Sequence, residues 1–163
     1  MKKTLKILAW TLFGIYCLLL FYALVIKRLN PYRGYYAGFL DFLSRMNLIP
    51  FRTVYGYVVR LLGNQINLTT VVANLAGNLL LMLPMGVFLP FLFPKIDGWR
   101  NILRTMFEII LSVEALQLLT ALGSFDVDDV ILNLGGAMIG YALTQIPFIR
   151  KIRDGIFLKE VQE

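Results

Sequence analysis

Histidine is absent from this 163-residue chain, and cysteine occurs once, at Cys17. Without histidine, the usual zinc ligand sets and most nucleophile–base pairs are excluded. With one cysteine no disulfide forms within the chain, so thiol usage says nothing about compartment. Charge is scarce too: 16% of residues are charged and 58% are hydrophobic, with a mean hydropathy of +0.71. Soluble domains carry roughly 25% charged residues. A chain of this size leaves much of its surface outside any core, so lipid must be the solvent for a large part of it. The net charge of +6 suits anionic lipid head groups rather than nucleic acid. Internal repeats and low-complexity tracts are also missing.

What is present is a series of long apolar runs. A helix needs about 20 apolar residues to cross the hydrocarbon layer. Four stretches meet that need: Leu5 to Ile26, Thr69 to Phe93, Ile102 to Leu122, and Asp129 to Phe148. The first is longer than a signal-peptide core of about 7–15 residues, and no small-x-small cleavage site follows, so it reads as an uncleaved span. Pro84, which lacks an N–H, is expected to kink the second span, with Gly86 easing the bend. Pro94 and Gly98 mark a tight turn before the third. The expected fold class is therefore an all-α integral membrane protein, one domain over residues 1–163 with four transmembrane helices.

Residues 30–66 fit neither a span nor a plain loop. "GYYAGFLDFLSRM" places Tyr35, Tyr36, Phe39, Phe42, Leu43 and Met46 near helical spacing, with Asp41, Ser44 and Arg45 mostly opposite. "RTVYGYVVRLLGN" sets Arg52, Gly56 and Arg60 on one stripe, apart from Val54, Val58, Leu61 and Leu62. Such amphipathic, aromatic-rich segments suit interfacial helices, the plainer alternative being a soluble hairpin. With four spans the termini share a side holding ten of the sixteen Lys/Arg, against six in the long loop. The positive-inside rule then puts both termini in the cytoplasm, although Lys27 and Arg28 pull the other way.

The polar residues inside the spans gather at one depth. Asn74 and Asn78 are four apart in the first half of span two; Glu114 and Gln117 are three apart toward the end of span three; Asp129 and Asn133 are four apart at the start of span four. Spans two and four begin where span three ends, so these groups lie in one half of the bilayer, beneath residues 30–66. Amides here can serve as interhelical hydrogen-bond glue, and Asp128 or Asp129 as an N-cap on span four. Glu114 differs, because an acid well inside a span costs roughly 2.5–3.5 kcal/mol and marks a functional position. Its candidate partners are Asn74, Asn78, Gln117, Arg45 and Arg52. Glu108 is expected to pair with Arg104 at i,i+4. Gly136 and Gly140 form a small-xxx-small packing face, with Gly77 in a similar role on span two. The same glycine face is the expected surface for any homo-oligomer. Thr69 reads as the cap of span two, better than the chance sequon Asn67-Leu68-Thr69 reads as a glycosylation site. Arg150, Lys151 and Arg153 read as head-group contacts.

"NLIPFRT", "NLAGNLLLMLPMGVFLP", "EALQLL" and "SFDVDDVILNLGGAMIGY", in that order, resemble the successive signatures of the VanZ-like family of bacterial membrane proteins. The resemblance implies a bacterial cytoplasmic-membrane protein associated with resistance to teicoplanin, a glycopeptide with a fatty-acyl tail, or with cell-envelope homeostasis. It brings Asn47 of the first motif into the site. Relatives often carry an arginine before the aspartate pair. "TALGSFDVDD" has none, which leaves Arg45 or Arg52 to supply that charge.

Three function classes follow. The first is a non-catalytic protein that binds an acylated glycopeptide or a lipid-linked cell-wall precursor, with no cofactor or metal. Its ligand-binding set is Asn74, Asn78, Glu114, Gln117, Asp128, Asp129, Asn133, Arg45, Asn47 and Arg52. The second is an intramembrane enzyme in which Glu114, Asp128 and Asp129 hold Mg²⁺ or Ca²⁺. The third is a small proton-coupled transporter with Glu114 as relay.

Overall fold

The structure, a computed structural model, describes residues 2–26 and 38–158. Seven helices dominate it: α1 (Lys2–Leu24), α2 (Phe39–Ser44), α3 (Arg52–Leu62), α4 (Leu68–Leu92), α5 (Trp99–Leu119), α6 (Val127–Thr144) and α7 (Pro147–Arg153). Two short strands, β1 (Met46–Asn47) and β2 (Phe125–Asp126), pair in parallel, Met46 with Phe125 and Asn47 with Asp126. The described residues are all-α but for this bridge, which the sequence patterning does not reveal. Tyr35, Tyr36, Lys27 and Arg28 lie outside the described residues.

The core sits between α4, α5 and α6. Met82, Met85 and Leu89 of α4 meet Ile102, Met106 and Ile110 of α5 and Val130, Ala137 and Tyr141 of α6. The closest contact is that of α4 with α6. A Cβ at Gly136 would fall 1.8 Å from the Leu79 carbonyl oxygen, and one at Gly140 2.0 Å from that of Leu83. Positions rise together along both helices, so α4 and α6 run in the same direction. The Gly136/Gly140 face is thus consumed inside the chain rather than offered to a second copy. Gly77 faces open space; the packing glycine of α4 is Gly86, where a Cβ would fall 1.9 Å from the Ala137 carbonyl oxygen. Close approach to α6, not a bend, is what Gly86 provides.

α1 is peripheral. None of its residues is buried, yet Phe13, Tyr16, Cys17, Leu20 and Leu24 lean on the core. Trp10 and Phe13 set their rings edge-on to Phe93, and the Tyr16 hydroxyl donates to the Leu81 carbonyl at 2.7 Å. α4 continues through both Pro84 and Pro90.

α1 and α4 are long and apolar enough to cross a membrane. α5 has the length, at 21 residues, but carries Arg104, Glu108 and Glu114. The fourth expected run is broken. α6 stops at Thr144, and the chain turns by 81° into residues 147–157, the two parts being long and apolar enough only when taken together. The cause is Pro147. It forces Ile146 out of the helical region, to ψ 128°, and then opens α7 at its first position. The turn also relocates Arg153. Instead of reaching head groups it is 1% exposed, paired with Asp97 at 3.1 Å and with Asp154 at 3.0 Å. Asp97 closes the turn between α4 and α5, where Gly98 adopts φ 121°.

Candidate functional site

The site is built from a helix that borrows its cap. Helix α3 begins after Phe51, which sits in the left-handed region (φ 64°) and offers no side-chain cap. Its free N–H groups need acceptors. Asp128, 75 residues from Thr53, supplies them: Oδ2 accepts the Thr53 N–H at 2.8 Å and the Val54 N–H at 3.1 Å. Oδ1 accepts the Phe51 N–H. The carboxylate is 2% exposed, and its charge lies at the positive end of α3.

Asp126 completes the clamp. It is the N-cap of α6, accepting the Asp128 N–H at 2.9 Å. The same Oδ1 accepts Asn47 Nδ2 at 2.9 Å, and Oδ2 accepts the Thr53 hydroxyl at 2.5 Å. Asn47 Nδ2 also reaches Thr53 Oγ1 at 3.0 Å. Asp128 and Asp129, expected as caps, stand instead in the first turn of α6. The segments "NLIPFRT" and "SFDVDD" are therefore two halves of one lock.

Glu114 supports the lock from below. It is 4% exposed, and its Oε2 accepts the Asp126 N–H at 3.3 Å. Gln117, one turn on, donates to the Leu24 carbonyl at 3.2 Å and ties α5 to the end of α1. Asn78 donates to Asp129 Oδ1 across the α4–α6 seam. Asn133 is buried, and its Oδ1 has no hydrogen-bond partner among the described residues.

Other expected members stand apart. Asn74 is exposed and bonds back to the Thr70 carbonyl at 2.7 Å. Arg52 is exposed on the outer side of α3. Arg45 pairs with Asp41 at 3.3 Å, while its carbonyl accepts the Phe125 N–H at 2.9 Å. Arg104 and Glu108 form their pair at 2.9 Å. Thr69 does not cap α4; Asn67 holds that position, without a side-chain bond. Thr53 belongs to the site although sequence reasoning left it out. The spacing of Asp126 two residues before Asp128 was the available signal for an N-cap. The phenol of Tyr57 is pushed up by burial and then by the charges of Asp129 and Asp126.

The lock also bears on metal binding. Both oxygens of Asp128 are taken by backbone N–H groups, and those of Asp126 by Asn47, Asp128 and Thr53. A hard cation at these oxygens would compete with the N–H and O–H groups that they already accept. Among the described residues no three acidic or thiol side chains are grouped to hold a metal ion.

An apolar cleft of ≈ 240 Å³ opens beside the lock. Leu20, Leu24 and Val25 form one wall; Val113, Leu116 and Leu122 form the other. Gln117 and Thr120 are its polar lining, and Cys17 also faces it.

Apolar helices around a buried polar lock define an all-α membrane protein in which a short amphipathic helix is latched onto a helical bundle. The VanZ/LLP1 family model matches residues 13–149, and the chain belongs to that family. No curated protein and no solved structure shows a match.

Proposed function

We propose that this VanZ-like protein is a non-catalytic binder of an acylated or lipid-linked ligand in the bacterial cytoplasmic membrane. α1, α4, α5, and α6 with its bent continuation α7 are its four spans, and both termini are cytoplasmic. α2 and α3 lie at the opposite interface, which their exposed Phe39, Leu40, Tyr55 and Leu62 support. The ligand's tail occupies the cleft between α1 and α5, and its polar head lies at the Gln117 end, toward the Asn/Glu/Asp cluster.

The observation that carries this reading is the cleft itself. Its walls are apolar and its polar lining is Gln117 and Thr120, a few polar groups in an apolar pocket being the usual composition of a site that orients an amphiphile. Its outer wall, α1, buries no residue of its own, so the cleft lies at the lipid-facing side of the bundle. An acyl-tailed glycopeptide such as teicoplanin, or a lipid-linked cell-wall precursor, has the required shape. Sequestering the acyl-tailed antibiotic, or altering lipid-linked wall precursors, would protect the envelope.

The test is titration of purified protein in detergent with teicoplanin, deacylated teicoplanin and vancomycin. Saturable binding to teicoplanin alone is expected, with loss in Leu116→Trp, which fills the cleft. Equal binding of all three, or of wild type and variant, would refute the reading.

A further inference from the structure

A second lipid-facing feature lies at the other end of α5, about 21 Å from Glu114 by helical rise. Trp99, Arg100, Leu103, Arg104 and Phe107 form one stripe of α5 and, with Leu134 of α6, line a shallow groove of ≈ 420 Å³. Cations stand at its mouth and apolar side chains fill its length. Arg100 is exposed and lies over the Trp99 ring at 5.1 Å, the only interaction it makes among the described residues. Arg104 gives Nε to Glu108 at 2.9 Å, and its terminal nitrogens show no bond among the described residues.

From these contacts we infer that the groove is a binding site for an anionic glycerophospholipid of the surrounding bilayer. The phosphate meets Arg100 and Arg104, and one acyl chain runs along Leu103, Phe107 and Leu134. Guanidinium forks match phosphate oxygens, and basic pockets between helices at a membrane face are where such head groups bind. Depth agrees with the assignment. Trp99, 55% exposed, stands at the helix start where an indole sits at head-group level. Phe107 lies about 12 Å further along α5, in the hydrocarbon. The site is distinct from the cleft beside the lock and does not depend on it.

The experiment is native mass spectrometry of the purified full chain with added phosphatidylglycerol or phosphatidylcholine. Wild type is expected to retain phosphatidylglycerol in preference. Arg100→Ala combined with Arg104→Gln should lower that retention about tenfold, as loss of charge-assisted bonds implies. Leu134→Trp, which fills the groove without changing charge, should lower it as well. Arg150→Ala with Lys151→Ala should leave it unchanged. Equal retention of the two lipids by wild type would overturn the site. So would full retention in the Arg100/Arg104 variant or in Leu134→Trp, or a loss in the Arg150/Lys151 control as large as in the Arg100/Arg104 pair.

Discussion

The carboxylate of Asp128, in the first turn of α6, accepts the backbone N–H of Thr53 in the first turn of α3 at 2.8 Å. One side chain thus caps a helix far away in sequence. It is one of the contacts that seat α3 over the bundle.

Asp128→Asn keeps the shape but turns an amide N–H₂ toward N–H groups that need an acceptor. The expected loss is roughly 2–3 kcal/mol, from buried donors left unsatisfied. A lower melting temperature in detergent, with faster thiol labelling of a Thr53→Cys reporter placed in both backgrounds, would register it. Asp129→Asn, which keeps an oxygen for Asn78, should be milder.

Gly136→Ala and Gly140→Ala each drive a methyl into an α4 carbonyl, since the available distances are 1.8 and 2.0 Å. The helices must separate, at about 1–3 kcal/mol per site by the usual cost of overpacking. Gly77→Ala and Gly135→Ala meet nothing within 4 Å and should be neutral or slightly stabilising, because alanine favours the helix. Melting temperatures of the four variants check this contrast.

Arg153→Met leaves Asp97 without its buried partner. Breaking such pairs costs about 3–5 kcal/mol when both charges are buried. The Asp97 side chain is 28% exposed, so roughly 2 kcal/mol is expected. Proteolysis at the turn between α4 and α5 should accelerate with it, because Arg153 is what ties that turn to α7.

Much of this architecture was legible beforehand. The long apolar runs marked the helix ends to within a few residues for α1, α4 and α5, because hydrophobic length is a strong signal. The gathering of Asn78, Glu114, Gln117 and Asp129 at one end of the bundle followed from helical rise and spacing alone. Helical phase was less reliable. Asn74 shares the Asn78 stripe on paper, yet it lies a turn beyond the partner helix and faces outward. The remote cap was illegible, because a carboxylate serving another segment's backbone leaves no local pattern. The bend at Pro147 was legible in principle, since the residue before a proline avoids the helix, but hydropathy ran on past it.

The central claim is that an acyl chain lies between α1 and α5. Cys17, the chain's single cysteine, lines that cleft and reports on it directly. The decisive measurement is the alkylation rate of Cys17 by a membrane-permeant maleimide, with teicoplanin or its deacylated form present. Protection by teicoplanin that saturates, with none from the deacylated form, is the expected result. Identical rates under both conditions, at concentrations where teicoplanin is bound, would contradict the claim and place the ligand elsewhere on the protein.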